Sequence, residues 1–190
     1  MPGNDLNKSA YLVLGMIATG YTTGYEISKM ASLTSRFFWA AGDGQVYPQL
    51  RKLTELGLIQ GQREAQGERE KNVYRLTARG RRALTEWLTS PAPPMWELRD
   101  EGLLKLFFAG DLDTAQLRER IEVIRQTHER AIDRLNEIEP IARAHPTALL
   151  SHRHGVALHT AALAWCEGVA AELDRLDADT PAEAALDSIL

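Results

Sequence analysis

The stretch S-P-A-P-P, Ser90–Pro94, sets the first constraint on how this chain folds. Proline fixes the backbone and removes a donor, so neither a helix nor an inner strand continues through three prolines in four residues. The segment reads as a stiff connector between two domains, residues 1–89 and 90–190. A chain of 190 residues has room for one large core or two small ones. Charge divides at the same place. The first part holds 12 Lys/Arg against 8 Asp/Glu, the second 10 against 18. A basic half joined to an acidic half suggests that the first meets a polyanion and the second does not.

The remaining bounds are exclusions. The single cysteine, Cys166, has no internal partner for a disulfide, so nothing points to an oxidising compartment. No basic start is followed by an apolar core of the signal-peptide kind. The Ala/Leu-rich stretch V-A-L-H-T-A-A-L-A-W-C-E-G-V-A-A-E-L is interrupted by His159, Thr160, Glu167 and Gly168, which argues against a membrane span. The expected location is cytoplasmic.

The first half has a definite order of elements. Leu6, Ala10, Val13 and Ile17 recur at helical spacing, and Gly20 ends that helix. Thr23 with Glu26 three residues on is a capping box that starts a second helix carrying Ile27 and Met30. In D-G-Q-V-Y-P-Q-L-R-K-L-T-E-L-G-L-I, the apolar positions Val46, Leu50, Leu53 and Leu56 mark a third helix, with Gly57 just past its end. L-I-Q-G-Q-R-E-A and N-V-Y-R-L-T then read as a hairpin around the polar turn Q-G-E-R-E-K. Thr77 caps a fourth helix, A-R-G-R-R-A-L-T-E-W-L. Three helices, a hairpin and a helix form the order of a winged helix-turn-helix. The fold class is therefore mainly α with a small β-hairpin wing, followed by a helical dimerisation domain.

In a helix-turn-helix the recognition helix enters a DNA major groove. With Val46, Leu50 and Leu53 inward, Gln45, Gln49 and Lys52 form a polar stripe beside the buried one. Gln pairs in bidentate fashion with adenine, and Lys meets guanine or phosphate. Tyr47 and Arg51 are expected to grip phosphates. The hairpin adds Arg63, Arg69, Lys71 and Arg75, with Arg69 and Lys71 at its tip. Most polar stripes are solvated helix faces, and it is the element order and the basic wing that favour DNA here. Pro48 stands inside the helical pattern, where a proline costs about 3 kcal/mol.

The second half is helical throughout. E-L-R-D-E-G-L-L-K-L-F-F-A-G is a short apolar helix. Leu117, Ile121, Ile124, Ala131, Leu135 and Ile138 alternate steps of three and four, with His128 in the gap, and Pro140 is expected to end that helix. A last helix from about Thr147 to Leu176 repeats the seam through Leu158, Ala162, Trp165, Val169 and Leu176. Two long helices with narrow seams need a partner, most simply a second copy of the chain on a two-fold axis.

Other candidate sites are weak. His152, His154 and His159 share no face with a completing Cys or carboxylate, so no metal is expected. His128 on the seam is either a satisfied histidine or a pH-sensitive joint. Cys166 reads as a buried, inert thiol, and Trp39 as a packing residue. No catalytic constellation and no phosphate loop is present, so neither an enzymatic activity nor a cofactor is expected.

Gly44–Ile59, with G-Q-V-Y-P-Q-L-R-K-L and then G-L-I, resembles the third helix of the PadR family of transcriptional regulators. The likeness continues in G-Y-E-I at Gly24–Ile27 and Y-R-L-T-A-R-G at Tyr74–Gly80. R-D-E-G-L-L-K-L-F-F-A at Arg99–Ala109 is similar to the start of the C-terminal domain in the longer-tailed, virulence-activator-like subgroup. The family carries proline near the start of this helix, which implies a helix start near Gly42–Gly44 and a small kink or irregular first turn. One departure is A-A-G-D-G before the motif, where the family often has a Ser or Thr cap. The resemblance also implies sensing of small aromatic compounds, for which Trp96, Phe107, Phe108 and Trp165 are the candidate residues. The same aromatics equally suit core packing and a dimer interface.

The sequence thus reads as a homodimeric repressor that binds a pseudo-palindromic double-stranded DNA operator and is released by a small molecule. The alternative is a winged-helix interaction adaptor without specific DNA binding.

Overall fold

The computed structural model describes residues 6–35, 39, 43–66, 69–94 and 97–179. The chain forms two compact units, 1–94 and 95–190, so the proline-rich connector closes the first.

The first unit contains α1 (Lys8–Ala18), α2 (Gly24–Leu33), α3 (Asp43–Glu55), β1 (Ile59–Gln66), β2 (Arg69–Leu76) and α4 (Ala78–Leu88). Asn7 caps α1 by accepting from the Ala10 amide, and Thr19 with Gly20 at φ 101° ends it. Both halves of the Thr23–Glu26 capping box are formed at the start of α2. Val46, Leu50 and Leu53 of α3 join Ala10, Val13, Leu14, Ile27, Leu58 and Ile59 in one buried core. Gly57, at φ 65°, lets the chain turn back: its amide donates to Thr54 O and the Leu58 amide to Leu53 O. Those two bonds satisfy carbonyls that the helix end leaves free. Thr77 caps α4 by accepting from the Gly80 amide at 3.0 Å, and its hydroxyl donates to Gly57 O at 2.8 Å. The start of α4 is thereby fastened to the end of α3.

The hairpin corrects the sequence reading. Q-G-E-R-E-K is not a six-residue turn: β1 and β2 pair from Ile59↔Leu76 out to Gln66↔Arg69, leaving only residues 67 and 68 between them. Opposed partners such as Glu64 and Lys71 carry opposite charge, which supports pairing where composition alone suggested a loop. At its other end the hairpin is held by the turn before α2. The Tyr74 amide donates to Thr22 O at 2.7 Å, and Thr23 bridges to Val73.

The second unit contains α5 (Glu101–Phe107), α6 (Thr114–Arg143) and α7 (Pro146–Asp179). Arg118 near the start of α6 pairs with Asp174 and Asp177 near the end of α7, so the two long helices run antiparallel. Two expectations fail here. Pro140 does not end α6, which continues to Arg143. Pro140 withholds the one donor that would bond the Asn136 carbonyl, and the helix runs on past it for three residues. Of the expected α7 seam, Val169 packs against the buried cluster shared with α6, whereas its bulky members face away from α6 within the single chain. Leu158, Trp165 and Leu176 are exposed, while His152, Gly155, Cys166 and Leu173 are buried and His159 half-buried. An Ala-rich helix offers small apolar side chains on every side, so the bulky residues did not mark the inward face. No helix among the described residues is long and apolar enough to cross a membrane.

Candidate nucleic-acid interface

The buried trio Val46, Leu50 and Leu53 fixes which side of α3 faces outward. At 100° per residue the opposite crest carries Gly44, Pro48, Arg51 and Glu55, with Lys52 beside it, and all five are exposed. The helix runs through Pro48 from Asp43 to Glu55 without interruption. Of the two residues expected to serve as cap, Asp43 is the first residue of α3 and Gly42 lies outside the described residues, as do residues 40 and 41.

The expected stripe divides in two. Gln45 is exposed, and its Oε1 accepts from Ser9 Oγ of α1 at 2.9 Å. Gln49 is half-buried, and its Oε1 is buried with no hydrogen-bond partner among the described residues. This edge of α3 therefore borders the core, and Lys52 is its freest member. Tyr47, on the other edge, is 45% exposed and lies against Gly24 of α2.

On the hairpin Arg63 and Arg75 are exposed, and Arg75 pairs with Glu64 at 3.4 Å. Lys71 is half-buried in mid-strand opposite Glu64, and not at the tip. Its charge reaches Glu26 of the capping box. The Thr23 amide chiefly holds the Glu26 carboxyl below its ordinary range, with the Thr22 amide and Lys71 acting the same way and burial opposing. Arg69 opens β2 beside residues 67 and 68, but its side chain lies outside those described.

The sequence analysis placed α2 but named no candidate contact residue on it. Tyr25 is 68% exposed in its first turn, and Lys29 Nζ sits 5.9 Å from the Tyr25 ring centre. Their i, i+4 spacing after the capping box was the available signal.

Of the aromatic residues proposed for an effector, Trp96 lies outside the described residues. Phe107 and Phe108 meet edge to face at 5.0 Å, and both are largely exposed at the end of α5. Trp165 is partly exposed on α7. Leu103 and Leu104 of α5 are exposed as well. No group of three or more His, Cys, Asp or Glu suited to a metal ion occurs among the described residues.

Comparison with known proteins matches these two units to two families. Residues 13–86 match the transcriptional regulator PadR-like family, and residues 98–174 match the virulence activator alpha C-terminal domain. The chain is 35% identical over 119 residues to the negative transcriptional regulator PadR of Bacillus subtilis, a match spanning 58% of this chain and 65% of that protein. The crystal structure of Bacillus subtilis PadR with operator DNA superposes with a TM-score of 0.75 at 25% identity, covering 86% of this chain and 98% of that one. The same regulator is also solved with p-coumaric acid, with a TM-score of 0.72 at 22% identity over 89% of this chain and 98% of that one. The virulence activator AphA of Vibrio cholerae superposes with a TM-score of 0.64 at 28% identity, covering 89% of this chain and 99% of that one. With the wing, the capped α2 and the proline-bearing α3 in place, the first unit carries a domain of the PadR-like family of transcriptional regulators, and the second a domain of the virulence-activator C-terminal type.

Proposed function

We propose that this chain is a cytoplasmic, homodimeric, sequence-specific DNA-binding repressor. The observation that carries the reading is the outward crest of α3. Arg51 and Lys52 stand exposed beside Pro48, on a helix whose opposite side is locked into the core by Val46, Leu50 and Leu53. Arg63 and Arg75 on the wing, with Tyr25 and Lys29 on α2, extend that basic surface for phosphate contact. Two copies present two α3 helices to successive major grooves of a pseudo-palindromic operator, about 34 Å apart. The bond between operator DNA and the related Bacillus subtilis regulator supports the same use here.

Exposed apolar side chains supply the means of pairing. Leu103, Leu104, Phe107 and Phe108 on α5 and Leu158, Trp165 and Leu176 on α7 leave an uncovered surface of the kind that homodimers bury. A small aromatic effector binding at Trp96, Phe107, Phe108 or Trp165 would release DNA by favouring a dimer whose two α3 helices no longer fit. The complex of Bacillus subtilis PadR with p-coumaric acid is the precedent for an effector of that chemistry.

Selection of bound fragments from mixed genomic DNA across a salt series tests the reading. A repressor enriches one inverted repeat and binds with a steep salt dependence. An adaptor enriches nothing, and a protein that sediments as a monomer at micromolar concentration contradicts the dimer.

A further inference from the structure

Ser9 and Gln45 meet where α1 and α3 begin. The Ser9 hydroxyl donates to Gln45 Oε1 at 2.9 Å. Each residue adjoins one that is locked in place. Ala10, next to Ser9, and Val46, next to Gln45, lie in the same buried core. The two backbones are therefore held at the separation that lets this bond form.

A hydroxyl inside a helix commonly turns back onto a carbonyl of the preceding turn. Ser32 does so to Lys29 O at 2.8 Å, and Thr54 to Leu50 O at 2.8 Å. Ser9 is the second residue of α1 and has no earlier turn of that helix behind it. Its proton goes to Gln45 instead.

That bond decides which part of the Gln45 amide is offered outward. Adenine accepts at N7 and donates at N6, so a glutamine that pairs with it must turn oxygen and nitrogen to the base edge together. Ser9 draws the oxygen toward α1. The oxygen keeps a second lone pair, but it and the nitrogen diverge from one carbon. Both cannot face a base while the oxygen is held back. Gln45 is exposed, and among the described residues Nε2 meets no acceptor. What remains outward is a donor with two hydrogens.

Gln45 is also the third residue of α3, and a recognition helix contacts base edges through its N-terminal residues. Guanine presents two acceptors there, N7 and O6, and no donor. We propose, on the DNA-binding function given above, that Ser9 is a positioning residue that turns Gln45 into a donor-only reader, selecting guanine against adenine. Specificity is then set in part from α1, by a side chain that need not touch the DNA.

The test uses the full chain as wild type, Ser9→Ala, Ser9→Thr and Gln45→Ala. Each is selected against a randomised double-stranded library, then titrated by fluorescence anisotropy on the enriched repeat and its single-base variants. Wild type should prefer guanine to adenine at one position per half-site, and Gln45→Ala should abolish that preference. Ser9→Ala frees the oxygen and should shift the ratio about tenfold toward adenine at the same position. Ser9→Thr keeps a hydroxyl and should match wild type. Wild type that enriches no sequence sinks the DNA-binding function itself. An enriched repeat on which Ser9→Ala keeps the wild-type ratio overturns the role of Ser9 alone. So does a Gln45→Ala loss equal on every sequence, the mark of a phosphate contact.

Discussion

The Tyr47 ring occupies the space that a side chain on Gly24 would need: a Cβ built at Gly24 falls 2.7 Å from Tyr47 Cε1 and 3.3 Å from Leu50 Cδ1. The glycine that opens α2 is therefore what lets α3 sit close. Gly24→Ala should displace the Tyr47 ring, cost about 1–3 kcal/mol of stability and weaken operator binding. Thermal unfolding with fluorescence anisotropy on operator DNA measures both. Unchanged anisotropy would show that the position of Tyr47 is irrelevant to DNA.

Gly80 is under a stricter limit. A Cβ there would lie 2.0 Å from the Leu58 carbonyl oxygen, and backbone cannot rotate aside as a ring can. Gly80→Ala should cost about 3 kcal/mol or more, at the upper end for overpacking. A chemical denaturation midpoint within error of wild type would contradict the contact.

Base reading and phosphate gripping should separate on α3. Arg51→Ala and Lys71→Ala are expected to weaken all sequences alike, Arg51→Ala lowering the salt slope by about one. Lys71, half-buried beside Glu64, should have the smaller effect. Lys52, an exposed member of the expected stripe, remains a base reader, and Lys52→Ala should relax preference at one position per half-site by about 1–3 kcal/mol. Equal losses on every sequence for all three variants would remove the division between the two roles.

Glu26 carries a pH dependence whose sign is fixed. Its carboxylate accepts from the Thr23 amide at 3.0 Å and the Thr22 amide at 3.1 Å, and its pKa lies below the ordinary 4.5. The folded state thus binds this proton less readily than the unfolded one. The stabilisation is fully present above pH 4.5 and is lost as pH falls through the depressed value. Glu26→Ala should cost about 1 kcal/mol at neutral pH and flatten the acid limb of a melting-temperature profile. An unaltered acid limb would assign that limb to other groups.

Pro48 denies α3 the hydrogen bond that a donor at this position would make to the Gly44 carbonyl. Pro48→Ala should therefore raise thermal stability, by about 1 kcal/mol for a site in the second turn, while operator affinity falls as the exposed crest changes shape. Stability and affinity both unchanged would leave the proline without a role.

Much of the first unit was legible because its signals are local. Thr23 with Glu26, Gly57 after α3 and Thr77 before α4 each announce a helix end through chemistry between neighbours. The hairpin was misjudged because charged residues in an exposed ribbon resemble a turn until their cross-strand partners are known. The α7 seam was misjudged for a different reason. His152, His159 and Cys166 face inward while Leu158 and Trp165 face out, and an Ala-rich helix offers no periodicity to show it. The half-burial of Gln49 was equally hidden, since it depends on what packs beside α3 and not on the stripe itself.

The bond from the Tyr74 amide to Thr22 O ties the wing to the turn that launches α2, and Gly24 in that same turn seats Tyr47 of α3. Wing and reading helix therefore move as a single casting. Substitutions confined to the exposed crest of α3 should therefore change which side chains are offered without tilting the helix that offers them.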